Sequence, residues 1–483
     1  MIFSSITFLF FFLPGVLLLV FSTPRHLRNI LLLLASLLFY AWGEGIYILA
    51  LLLSILTNFL CGQLLASQEG RWSSRAILIF GVVLNIAMLA FFKYANFIAD
   101  NLNPFLLSLH LPELALDPIH RPIGISFFTF QAISYLVDIS RRQVKPARNP
   151  LDLALYLSFF PVILAGPILR YPQLAKELRS RHCSIQGFAE GSQRFILGLA
   201  KKVLLANPLA LIADQIFALP GRELSPSLAW LAAFCYTLQI YFDFSGYSDM
   251  AIGLARLFGF HLPENFNYPY ISRSIREFWR RWHITLSSWL RDYLYIPLGG
   301  SRQGTLRTFL NLLIVFLLCG LWHGASWTFI LWGLYHGFFL VVERSRLEQW
   351  RQRLWPPLQQ AQTFLVIMVG WILFRSETLA DAFRFLSLMA GVDNLPGGHS
   401  AAAQFLDSKA QLELAMALLF SLPILPALKR WRDAILTRPG QRLHPWLDAV
   451  VHLTQLAVLA ALLYFATISL AAGAYSPFIY LKF

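Results

Sequence analysis

Charge is scarce in this chain of 483 residues: Asp, Glu, Lys and Arg together make up 13% of it, where soluble domains carry about 25%. Cysteine is scarcer still. Cys61, Cys183, Cys235 and Cys319 form no C-x-x-C pair, which leaves no disulfide framework and no zinc spacing. Cys61, Cys235 and Cys319 lie in apolar runs and read as small core residues. No metal site is expected. Walker A, G-x-G-x-x-G and H-E-x-x-H patterns are absent, so a nucleotide hydrolase or zincin has no signature here. A G-x-S-x-G elbow is missing too, which argues against a resident serine hydrolase. The first apolar segment, Ile2 to Phe21, has no basic n-region and no clear cleavage site, so it reads as a retained helix rather than a signal peptide. No low-complexity linker or soluble appendage stands out, and residues 1–483 are treated as one membrane domain.

What is abundant is apolar: 57% hydrophobic and 15% aromatic residues, with a mean hydropathy of +0.59. The expected fold is an all-α polytopic membrane protein. Apolar segments fall at about 3–21, 30–42, 46–66, 76–98, 121–140, 188–217, 228–256, 308–322, 326–342, 358–375, 411–428 and 446–472. Pro, Gly or charge interrupts 151–169 and 272–298, which read as re-entrant or interfacial, and short helices of this kind are tolerated where protein buries them. The stretch 391–410 reads as an external loop. The net charge of +14 fits nucleic acid or an acidic substrate on one reading and cytoplasmic loops on the other. Because the basic residues cluster between apolar spans, loop charge is preferred and no nucleic-acid partner is expected. Arg71 and Arg75, Arg141 to Arg148, Arg344 to Arg353, and Lys429 to Arg432 mark one side, the cytoplasmic one by the positive-inside rule. The loop from Asn101 to His120 lies opposite, and twelve crossings place both termini outside.

Several polar residues interrupt this apolar background. His323 sits in an apolar helix between Trp322 and Gly324. It reads either as a buried histidine bonded to a carbonyl or as a general base for a hydroxyl, with Gly324 allowing close approach. His283, 40 residues earlier, follows Arg280, Arg281 and Trp282, and reads as interfacial or functional. His336 is a weaker candidate of the same kind. Arg273, Arg276, Arg280 and Arg281 line one face if helical. They suit either lipid headgroups or a clamp for the phosphates of a nucleotide-like donor. Asp243 and Asp249 fall in an apolar helix, need partners, and have arginines nearby as candidates. The tail Ser476 to Phe483 closes an interfacial belt or offers the Tyr480 phenol as an acyl relay.

The chain resembles the bacterial membrane-bound O-acyltransferase family, in the branch of alginate O-acetyltransferase and the peptidoglycan and cellulose acetylation proteins. The residues that carry the resemblance include Phe91-Phe-Lys-Tyr-Ala-Asn-Phe97, Ala165-Gly-Pro167, Tyr241 to Gly253, Glu264-Asn-Phe-Asn267, Glu277 to His283, Trp289 to Tyr295 and Leu321-Trp-His-Gly-Ala325. The resemblance implies a ring of helices around a thin centre with a cytoplasmic funnel. It maps the active histidine to His323 and a supporting one to His283. It implies no bound cofactor and a cytoplasmic thioester donor, acetyl-CoA. It further implies a periplasmic SGNH-type acetyltransferase as partner, a polysaccharide as final acceptor, and a Phe478-Ile-Tyr-Leu-Lys-Phe483 tail acting through Tyr480. The expected site is then His323 as base, His283 polarising or orienting the thioester, and Arg276, Arg280 and Arg281 at the donor phosphates. Trp322, His336 and Asp243 support it, Asp243 by holding the histidine region or an arginine. The expected location is the bacterial inner membrane. The rival is a transporter or flippase for a lipid-linked sugar or acyl carrier, for which inverted repeats are expected and not found. A third reading keeps the enzyme but gives it a lipid or protein acceptor.

Overall fold

The computed structural model describes residues 2–67, 72–392, 402–424, 426–428, 430, 445–473, 475 and 479. Helices make up the fold, and no strand occurs among the described residues. Among the described residues, six stretches are long and apolar enough to cross a membrane: Arg25–Ser67, Ser73–Ser108, Ile185–Phe217, Thr305–His323, Pro356–Arg375 and Ala449–Ala471. Arg25–Ser67 holds two helices, Arg28–Glu44 and Ile48–Ser67, joined by the tight turn Gly45–Tyr47. Shorter apolar helices, Phe8–Ser22, Ile125–Ser140 and Trp327–Val342, complete the set. This is a multi-pass membrane protein. The large apolar side chains left exposed on Ile48–Ser67 and Trp72–Ser108 suit a lipid-facing wall.

The segments interrupted by Pro, Gly and charge do break. Residues 150–163 form two short helices, Pro150–Ser158 and Phe160–Ile163, both buried. Residues 275–295 form Ile275–Arg281, Ile284–Leu290 and a π-helical turn, Arg291–Tyr295. Around these fragments the long helix Pro226–Leu257 runs through the interior, buried along nearly its whole length. It packs on Ile185–Ala200, Asn207–Phe217 and Pro356–Arg375. A helix buried all round must pair its own polar side chains inside the protein, which is why Asp243 and Asp249 meet cations there.

Thr305–His323 and Trp327–Val342 form a close antiparallel hairpin. Glycine makes the approach possible. A Cβ on Gly320 would lie 2.2 Å from the Phe329 carbonyl oxygen, and one on Gly333 would lie 2.2 Å from that of Phe316. In lipid, small residues let helix backbones approach where side chains would hold them apart. Gly333→Ala must therefore push the helices apart and should lower stability by about 1–3 kcal/mol. An unchanged melting temperature in detergent would contradict this packing.

Candidate active site

The Thr305–His323 helix stops at His323 because Gly324 is extended (φ −165°, ψ 155°). Ser326 then caps the next helix, accepting from the Phe329 amide at 3.5 Å. Gly324 packs against the Phe329 ring, which a Cβ would meet at 2.2 Å, so its neighbour is a side chain rather than open space. His323 is 5% exposed. Its ring meets those of Trp322, Trp332 and Phe374 edge-on, with centroids 4.9, 5.0 and 5.1 Å away.

His283 is fully buried and its backbone is left-handed (φ 41°, ψ 55°), a conformation that costs a non-glycine residue about 1–3 kcal/mol. Asn265 holds it there. The Ile284 amide donates to the Asn265 carbonyl at 2.9 Å. Asn265 Oδ1 accepts from the Thr285 amide at 3.3 Å and the Thr285 hydroxyl at 2.9 Å. Because an amide N–H donates to it, that atom is the oxygen, and the 3.1 Å contact from His283 Nδ1 requires the proton on Nδ1. Nε2 then presents a lone pair, and it has no hydrogen-bond partner among the described residues. As a neutral ring with its proton on Nδ1, His283 would accept a hydrogen bond at Nε2, whereas polarising a carbonyl would need a second proton there. The Trp322 ring lies 6.1 Å from the His283 ring, so one indole touches both histidines.

His336 is buried on the facing helix with its ring edge-on to Trp332 at 5.1 Å and Trp279 at 5.2 Å. Neither of its ring nitrogens has a hydrogen-bond partner among the described residues, nor do the indole N–H groups of Trp279, Trp322 and Trp332. Buried polar groups are normally paired. A group of orphans gathered round three histidines suits a place that a polar reactant or water fills.

A pocket of about 230 Å³ opens beside this group. Arg276, Arg280, Arg291 and Arg344 lie in its wall, together with Trp279, Phe316 and Cys319. Cys319 precedes His323 by one helical turn on the same face, about 6 Å along the axis. Of the three arginines expected at a donor site, Arg276 and Arg280 line the pocket. Arg281 does not: it pairs with Glu277 at 2.8 Å. Arg291 and Arg344 were not picked out as site residues by sequence reasoning. In the sequence Arg344 reads only as a topological charge, because nothing local in the chain ties it to residues 276–291. Asn265 was also passed over, although it stands inside a quoted motif.

Asp243 makes contacts other than the arginine or histidine expected. Its Oδ1 pairs with Lys202 at 2.6 Å, both side chains nearly fully buried. Its Oδ2 accepts from the amide of Ile479 at 2.9 Å. The neighbouring Phe244 lies edge-on to His283 at 4.7 Å, so the same helix turn touches both the tail and the histidine region. Tyr475 donates to Asp214 at 2.7 Å, and Arg375 pairs with Asp214 at 2.6 Å. The tail is thus tied back at two points. Tyr480 itself lies outside the described residues. Asp249 pairs with Arg194 at 2.7 Å and Lys201 at 2.6 Å, the structural ion pairing considered for it. No cluster of potential metal ligands occurs among the described residues.

The model of the MBOAT, membrane-bound O-acyltransferase family matches residues 123–374, a range that contains all three histidines. Similar proteins extend the match. A Pseudomonas putida protein named "Probable alginate O-acetylase AlgI" is 41% identical over 490 residues, covering 100% of both chains. A Helicobacter pylori "Peptidoglycan O-acetyltransferase" is 37% identical over 444 residues, 84% of this chain and 83% of its own. A Bacillus subtilis "Teichoic acid D-alanyltransferase" is 29% identical over 385 residues, 75% of this chain and 93% of its own. The chain belongs to the membrane-bound O-acyltransferase family and is an O-acyltransferase.

If Asn265 acts by fixing the tautomer of His283, Asn265→Ala should slow acyl transfer about 10-fold or more, within the roughly 10²–10⁴ range of a lost acid–base group. Its effect should vanish in a His283→Ala background, since two residues acting as one unit are not additive. Fully additive losses in the four rates would show that the two act separately.

Proposed function

We propose that this enzyme takes an acetyl group from cytoplasmic acetyl-CoA across a bacterial inner membrane, for O-acetylation of an exported or cell-wall polysaccharide. The observation that carries the reading is the arginine-walled pocket that reaches to within one helical turn of His323. Guanidinium groups match phosphate geometry, and the pyrophosphate and ribose phosphate of CoA would meet Arg276, Arg280 and Arg344. The pantetheine arm would then run past Trp279 and Phe316 toward the histidines. Arg344 belongs to the side that the loop charges mark as cytoplasmic. The names of the relatives support the acceptor class, since alginate, peptidoglycan and teichoic acid are all exported or cell-wall polymers.

In the proposed step the Tyr480 phenol is the first acceptor. Its oxygen attacks the thioester carbonyl while His323 takes the phenolic proton. The carbon–sulfur bond breaks, and the CoA thiolate leaves with that proton as the free thiol. The products are CoA and an acetyl ester on Tyr480. The lone pair on His283 Nε2 suits a hydrogen bond from the incoming hydroxyl. The anchors at Tyr475 and Ile479 support a docked tail, the amide of Ile479 being one residue from Tyr480. A periplasmic SGNH-type acetyltransferase would take the acetyl group onward to the polysaccharide. No cofactor enters; acetyl-CoA is a substrate.

Incubation with isotopically labelled acetyl-CoA followed by mass spectrometry tests this. The wild type should carry one label on its C-terminal peptide, and His323→Ala and Tyr480→Phe should carry none. CoA release should fall about 10²–10⁴-fold in His323→Ala. Release of CoA without labelled protein would remove Tyr480 from the scheme, and no release from folded enzyme with its partner present would remove acetyl-CoA. Replacing Arg280 or Arg344 by Ala takes away one charge-assisted contact, and should raise KM for acetyl-CoA about 10-fold with little change in kcat. An unchanged KM in both variants would place the donor elsewhere.

A further inference from the structure

The last three carbonyls of the histidine helix face a difficulty that the reaction scheme does not address. The final backbone bond of that helix runs from the Gly324 amide to the Gly320 carbonyl at 3.2 Å. Beyond it, no backbone N–H reaches the carbonyls of Leu321, Trp322 or His323 among the described residues. Every helix ends with such orphan carbonyls, and where no water is at hand they must find partners in the protein. Here all three are taken by two adjacent side chains of another helix, Trp72–Ser108. The Tyr94 hydroxyl donates to the Leu321 carbonyl at 2.5 Å. The Lys93 ammonium donates to the Trp322 carbonyl and, at 3.1 Å, to that of His323. It also reaches the Ser126 hydroxyl at 3.4 Å and lies over the Trp322 indole, 5.9 Å from the ring centroid.

Lys93 is 6% exposed, and the partners that hold it are neutral oxygens. A lysine buried in this way is expensive in an apolar interior. Two things offset the cost: the three donors of an ammonium match a fan of carbonyls, and a cation is favoured at the negative end of a helix. The contact is made to the backbone of the residue that bears the imidazole, not to a remote turn.

We propose that Lys93 and Tyr94 are positioning residues for His323. They fix the end of its helix against a second helix, so that the imidazole is held where the acyl group arrives. Lys93 touches no reactant; it acts through the His323 and Trp322 carbonyls. Trp322, gripped in the same way, carries the hold to the indole that touches His283. The proposal rests on acetyl-CoA being the donor only for its kinetic test.

That test is a pre-steady-state burst measurement, with labelled acetyl-CoA in saturating excess over full-length enzyme in nanodiscs and no partner present, so that each folded enzyme is acylated once. The amplitude reports how much enzyme is folded, whereas the rate constant reports the geometry of the folded fraction. Lys93→Met keeps the length of the side chain and removes the charge and donors. Its rate constant should fall about 10²-fold, the scale of a 1 Å misplacement. Lys93→Arg, which keeps charge and donors, should recover most of the rate, and Tyr94→Phe should lose less than Lys93→Met. A wild-type rate constant at reduced amplitude in Lys93→Met would make the cap purely structural and overturn the proposal, as would equal slowing in the Met and Arg variants. If the wild type releases no CoA, the donor reading alone has failed, and hydrogen exchange then decides. Loss of protection at the Gly324 amide in Lys93→Met but not in Lys93→Arg supports the proposal; unchanged protection in both overturns it.

Discussion

The close contact between Gly320 and Gly333 is what the rest of the arrangement depends on. With no Cβ at either position, the two helices of the hairpin come near enough for a carbonyl of one to meet the α-carbon of the other. The contact fixes the register of the hairpin. His323 then ends one helix with Cys319 one turn below it, while Trp332 and His336 face it from the other. Shifted by one residue, the imidazole would turn about 100° around its helix and leave both the indoles and the line of the pocket.

A second constraint shapes what surrounds the hairpin. Polar groups in an apolar interior need partners, and the interior supplies different ones on each side of the histidines. On the pocket side four guanidinium groups gather, and among the described residues only that of Arg291 pairs with a carboxylate, Asp292, at 2.6 Å. The wall keeps a positive field for an anionic ligand. On the tail side the charges are matched: Lys202 with Asp243, and Arg375 with Asp214. A carboxylate oxygen of each aspartate is taken by the C-terminal segment. In the proposed reaction the unmatched charge receives a donor and the matched charge holds an acceptor.

Much of this was legible in the sequence, for physical reasons that differ from residue to residue. Periodicity and length found the long helices, and Pro, Gly and charge marked 151–169 and 272–298 as broken. His323 and His283 stood out because an imidazole in an apolar run is costly. What escaped were partners brought together only by the fold. Arg344 reaches the pocket from the end of the hairpin, Asn265 sets a tautomer 18 residues away, and Lys93 caps a helix 229 residues distant. Asp243 looked like a mate for an arginine because arginines are near it in sequence, yet the buried helix beside it presents Lys202. Arg281 belonged to the expected basic face, but its i, i+4 neighbour Glu277 claims it.

The most direct test of the account is a structure of the enzyme bound to a stable acetyl-CoA analogue whose thioester cannot be cleaved. The phosphates should lie among Arg276, Arg280 and Arg344, with the carbonyl carbon of the acetyl mimic beside the His323 imidazole and next to the Trp322 indole. An analogue seated elsewhere, or one whose acetyl end stops short of the three histidines, would contradict the claim that this pocket delivers the acyl group to His323.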